Sequence, residues 1–168
     1  ASLSILGSSM FRQGRFAEAE RSFREALDIY ERRSGENSVN TASALNNLAL
    51  VLERLGDYAG AELLLRRAVR ILVRTVGMNK ADTATTLSNL GRVLDSQGKF
   101  GAGTELLAEL TATAAPGQTA KPDADAGQGE TLQERVVSIY EATLGPEHPL
   151  TATGWSNLGN VRYVQGKF

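Results

Sequence analysis

Cysteine is absent from the 168 residues, and the chain has one histidine, one tryptophan and four prolines. Without cysteine there is no disulfide scaffold and no thiolate metal site, which fits a reducing, cytoplasmic setting. One histidine would leave a zinc ion mostly to carboxylates, an uncommon set, so no metal is expected. No apolar run approaches the roughly 18 residues that a membrane-spanning helix needs. No basic stretch leads into an apolar one at the start, so no secretory leader is read. The net charge of −1 gives no bulk attraction to nucleic acid or an anionic membrane. Neither a Gly-x4-Gly-Lys-Ser/Thr phosphate loop nor a nucleophile elbow occurs, so neither a cofactor nor an enzyme is expected. Glu18, Glu20 and Glu25 lie at helical spacings from Arg21 and Arg24, which predicts surface ion pairs. The chain begins at Ala1 and stops at Phe168 in mid-pattern, as a piece of a longer protein would.

Repetition is what the sequence does have. Gly-x-aromatic occurs as Gly14-Arg15-Phe16, Gly56-Asp57-Tyr58, Gly98-Lys99-Phe100 and Gly166-Lys167-Phe168, spaced 42, 42 and 68 residues. A second set, Gly35, Gly77 and Gly145, is spaced 42 and 68. Both give a 42-residue unit with 26 extra residues in the third copy. Each unit reads as two helices, A and B. Helix A aligns Leu3, Leu45, Leu87 and Trp155, then Leu6, Leu48, Leu90 and Leu158, then the small Gly7, Ala49, Gly91 and Gly159. Offsets of three, four and seven mark one apolar helix face. Small residues recurring at one site predict a closely packed neighbouring helix, since glycine in a helix interior costs about 0.5–1 kcal/mol against alanine. Trp155 falls in the same column and is expected in the core. The Gly-x-aromatic motif is the A–B turn, its glycine left-handed. Helix B aligns Phe16 with Tyr58, Ala19 with Ala61, Phe23 with Leu65 and Ala26 with Ala68. In the loop LGPEHPL, His148 is predicted to cap the next helix A, with Pro149 in its first turn.

This order of residues resembles the tetratricopeptide repeat, and the 42-residue period with LNNLA and LGPEHP is similar to the kinesin light chain type. The resemblance implies an all-α, right-handed superhelical solenoid of antiparallel helix hairpins, about three and a half repeats long. The units run approximately 1–38, 39–80, 81–148 and a partial 149–168, all in one array over 1–168. Residues 111–130, TATAAPGQTAKPDADAGQGE, contain no Val, Ile, Leu, Phe, Met, Trp or Tyr and cannot build a core. They read as a loop inserted into the third helix B. Leu107 keeps the upstream register, and Val136, Val137 and Ile139 keep the downstream one. The other possibility is that residues 131–144 form a full extra helix. The last helix A, 152–165, has no helix B after it, so its face of Trp155, Leu158 and Val161 is expected to be exposed or covered by something else.

The resemblance also places helix A along a concave wall. It implies a polar ladder there of Asn47, Asn89 and Asn157, flanked by Asn46, Ser88 and Ser156. In family members that bind extended peptides, asparagines at these places hold the ligand's main chain. An amide can do so because it carries both a donor and an acceptor. Each asparagine could equally bond a neighbouring helix and stiffen the stack. Further groove residues are Arg12, Arg54 and Arg92 against Glu53 and Asp95, with Asn160, Tyr163 and Val164 further along. The expected function is a scaffold that binds a protein or peptide partner in that groove. The alternatives are a structural subunit held by its convex face, ends or insert, and a regulatory array attached to an enzyme or nucleotide-switch domain. Uncapped ends make self-association a further expectation.

Overall fold

A computed structural model describes residues 2–99, 101–113 and 131–164. Among them are eight α-helices and no strand. The chain divides into two compact units, residues 1–75 and 76–168. The first holds α1 (Ser2–Arg12), α2 (Phe16–Ser34), α3 (Val39–Arg54) and α4 (Tyr58–Thr75). The second holds α5 (Ala81–Ser96), α6 (Ala102–Thr113), α7 (Leu132–Leu144) and α8 (Pro149–Val164).

Turn chemistry explains where the helices stop. Every described residue with positive φ is a glycine, and all six belong to the two repeating sets: Gly14, Gly35, Gly56, Gly77, Gly98 and Gly145. After each Gly-x-aromatic glycine a backbone N–H reaches back five residues. Arg15 bonds the carbonyl of Met10 at 3.0 Å, Asp57 that of Leu52 at 2.9 Å, and Lys99 that of Leu94 at 2.9 Å. This satisfies carbonyls that the ending helix leaves open. Phe100 and the motif at 166–168 lie outside the described residues.

The B-to-A loops carry a device that the glycine pattern alone does not disclose. Thr41, Thr83 and Thr151 are fully buried, and each hydroxyl donates to the carbonyl of the loop glycine six residues before it, Gly35, Gly77 and Gly145, at 2.8 Å. The threonines repeat at the same 42 and 68 spacing. Each locks the loop to the first turn of the next helix A. His148 behaves as expected: its Nδ1 accepts the N–H of Leu150 at 3.2 Å, and α8 opens on Pro149.

Within the first unit, α3 packs on both α2 and α4, and α1 packs on α2. The core joins Ala19 and Phe23 of α2 to Leu48 and Val51 of α3. Leu45, Leu48, Leu87 and Leu90 are buried, whereas Leu6, in the same column but on the first helix, is 46% exposed. Within the first unit α3 packs on both α2 and α4, which covers Leu48, whereas α1 packs on α2 and only slightly on α3. The predicted surface pairs form in part, with Arg24 on Glu20 at 2.8 Å.

The third hairpin differs from a single interrupted helix B. α7 is a complete helix with its own capping box: the Thr131 hydroxyl accepts the Glu134 N–H at 3.2 Å, and the Glu134 carboxylate accepts the Thr131 N–H at 2.9 Å. It is α7 that packs along α5 and then along α8, while α6 meets α5 and α7 only sparsely. Residues 111–113, read as the start of the insert, are the last turn of α6. Residues 114–130 lie outside the described residues.

Trp155 is 49% exposed, which overturns its expected place in the core and agrees with the exposure expected of the last helix A face. Its Nε1 donates to the Glu141 carboxylate of α7 at 3.2 Å. Leu158 and Val161, expected to be exposed or covered from elsewhere, are buried.

Candidate functional site

In the second unit, α5, α7 and α8 enclose a cleft of about 270 Å³. Arg92, Asp95 and Ser96 line it from α5 and Gln133 from α7. Asn157, Asn160, Val161 and Val164 line it from α8. Arg92, Asn157 and Asn160, three of the residues singled out in the sequence, therefore meet in one place. Helical spacing puts Asn157, Asn160, Val161 and Val164 on one face of α8. The turn before α8, fixed by Thr151 and His148, sets where that face points.

Part of the polar capacity is spent inside the protein. Asn157 donates through Nδ2 to the Ser88 hydroxyl at 3.2 Å, so it ties α8 to α5. Gln133 donates through Nε2 to the Ser88 carbonyl at 3.4 Å, and its Oε1 is buried without a hydrogen-bond partner. Asn89 accepts from Arg92 Nη2 at 3.3 Å. Burial lowers the Arg92 pKa and raises that of Asp95. Asp95 makes no ion pair or side-chain hydrogen bond among the described residues, and its environment offers its charge little compensation. Glu134, nearby on α7, has a lowered pKa. Its burial acts in the opposite direction but is outweighed by hydrogen bonds from Thr131 and Arg162, the latter at 3.1 Å.

The first unit has a cleft of its own, of about 340 Å³, between α1, α2 and α3. Asn47 and Leu50 line it with Ser8, Phe11, Arg12 and Phe23. Arg54 lies over the Phe11 ring, 5.8 Å from its centre, and is exposed. Asn46 is part-buried on α3 and lines neither cleft. Ser88 is buried beneath Asn157 rather than lining the cleft. Ser156 is exposed and donates back to the Ala152 carbonyl of its own helix at 3.1 Å. Sequence reading missed Gln133. It sits in the helix B register where α4 has the buried Leu65, and its mismatch there was the available signal.

No group of three His, Asp or Glu side chains among the described residues is arranged to hold a metal ion. No described helix is long and apolar enough to cross a membrane.

Stacked helix hairpins with repeated glycine turns and loop threonines, carrying clefts but no reactive constellation among the described residues, define an all-α repeat protein of the kind that mediates protein–protein interaction. Tetratricopeptide-repeat profiles match residues 1–72 and, in a second match, residues 83–113 with 128–150. The chain belongs to the tetratricopeptide-repeat family, with repeats like those of kinesin light chains. Among solved structures it is similar to BtubC (BKLC) from P. vanneervenii, at 21% identity and a TM-score of 0.58 over 99% of this chain. It spans 64% of that protein's length. It is also similar to a Podosopora anserina protein assigned to the kinesin light chains and built of nearly identical TPR-like repeats. There the identity is 20% and the TM-score 0.59, over 99% of this chain and 86% of that one. Among curated proteins, none matches the chain.

Proposed function

We propose that the protein is an interaction scaffold whose helix A faces receive an extended segment of a protein partner. The observation that carries this reading is the second-unit cleft, where Arg92, Asn157 and Asn160 come together from two helices over the apolar Val161 and Val164. Polar groups beside an apolar floor suit a peptide, whose backbone needs hydrogen bonds and whose side chains supply buried area. Each such hydrogen bond adds about 0.5–1.5 kcal/mol, so the amides orient the segment and apolar contact supplies most of the affinity.

Asn157 and Asn89 are poor probes, because both also hold the fold together. Asn160 is exposed, and its side chain makes no hydrogen bond among the described residues. The expected result is that Asn160→Arg, which fills the cleft with a long side chain, abolishes capture of the partner found by pull-down with the wild-type chain. Helicity by circular dichroism stays unchanged. Undiminished capture by Asn160→Arg would remove the cleft from the binding surface.

A further inference from the structure

The buried hydrogen-bonding capacity left unspent in the second-unit cleft is all acceptor, with the exposed Asn160 amide at its rim as a donor not yet used. Asp95 is half-buried on α5 with no ionic or hydrogen-bonding partner among the described residues. Gln133 spends its amide donor on the Ser88 carbonyl and keeps a buried oxygen with nothing to accept. Asn157 turns its amide nitrogen to the Ser88 hydroxyl, and its amide oxygen accepts no hydrogen bond among the described residues. The cation that lines the cleft, Arg92, donates to Asn89 and forms no ion pair with Asp95. What remains in the buried part are acceptors and one carboxylate, beside an aliphatic wall of Val161 and Val164 and with the Asn160 amide at the rim.

We infer that this cleft is a specificity pocket for a basic side chain, lysine or arginine, of the partner segment. The inference rests on the partner-binding reading above and adds the chemistry of the residue that enters. A basic side chain matches the cleft on both counts. Its methylene stem lies along valines while its head donates to oxygens, the division of labour by which long cations usually bury their stems. A partner carboxylate would instead meet the like charge of Asp95 and the buried amide oxygens of Gln133 and Asn157, with the Asn160 amide at the rim as the side-chain donor that makes no other bond. The raised pKa of Asp95 agrees with this, because burial penalises its charge and an arriving cation would relieve that penalty. The volume of about 270 Å³ suits one side chain rather than a folded element.

The probe is a set of fluorescein-labelled dodecapeptides selected from a random displayed library on the full chain, with binding measured by anisotropy. The selected peptides are expected to share a lysine or arginine at one position. Replacing it with methionine should weaken binding about tenfold, a typical value for losing one close charge pair. Asp95→Asn should weaken the basic peptide by a similar factor and leave the methionine peptide unaffected. Lysine and arginine versions of one peptide, compared on the wild-type chain, tell which head group the pocket prefers. Peptides that are lost on Asn160→Arg but have no basic residue coupled to Asp95 would overturn this inference and leave the scaffold reading standing. If no peptide is selected, or if those selected ignore both substitutions, the cleft-binding reading falls and the inference with it.

Discussion

Gly7, Gly91 and Gly159 occupy one position of helix A and meet three different environments. A Cβ added at Gly7 would stand 3.0 Å from the Phe23 ring, and one at Gly91 would stand 2.6 Å from the Gln133 amide nitrogen. At Gly159 nothing lies within 4 Å. The close helix approach expected from the repeated small residue therefore exists at the first two sites and not at the third. The consequence is a difference of sign. Gly159→Ala should stabilise the protein by about 0.5–1 kcal/mol, because only the helix-propensity term changes. Gly7→Ala should destabilise it by about 1–3 kcal/mol, because a packed ring has to move. Urea unfolding midpoints of the two variants check this. A shift in the same direction for both would mean that the site does not discriminate.

At the scale of elements, the third hairpin is where pattern and packing part. α6 follows the Gly98 turn as α4 follows Gly56, and Leu107 keeps the register of Leu65, yet it is α7 that lies along α5. α7 brings Gln133 to the place Leu65 holds in α4, and the buried amide oxygen left without a partner is the cost of that exchange. Gln133→Leu should therefore stabilise the second unit by about 1–3 kcal/mol, the usual penalty of an unsatisfied buried polar group. The expected observation is a higher unfolding midpoint with helicity preserved. A lower midpoint would mean that the 3.4 Å bond to Ser88 outweighs the orphaned oxygen. The turns, the core columns of α3 and α5 and the His148 cap were legible because each is local, set within a few residues of its own position. The bonds of Gln133 and Asn157 to Ser88 span 45 and 69 residues, and no periodicity along the chain encodes them. The same limit hid the state of Trp155. Its column predicts burial only where a further helix packs on that face, and none does among the described residues.

For the molecule as a whole, the division at residues 75/76 bears on cooperativity. Repeat proteins are held by contacts between neighbours, so stability is a sum of local terms and need not be lost all at once. The first unit has continuous hairpins, with α3 packed on α2 and α4. The second carries a sparsely attached α6, an unsatisfied buried amide and an uncompensated carboxylate. It should therefore open first. Trp155 is the single tryptophan and lies in the second unit, fixed to α7 through Glu141, so its fluorescence reports that unit alone. Far-ultraviolet circular dichroism reports all the helices. In urea, the fluorescence transition is expected at lower denaturant than the midpoint of the dichroism, and Gln133→Leu should move the first and leave the later part of the second in place. Coincident transitions that shift together would show one cooperative block, because two-state unfolding requires every probe to follow the same curve.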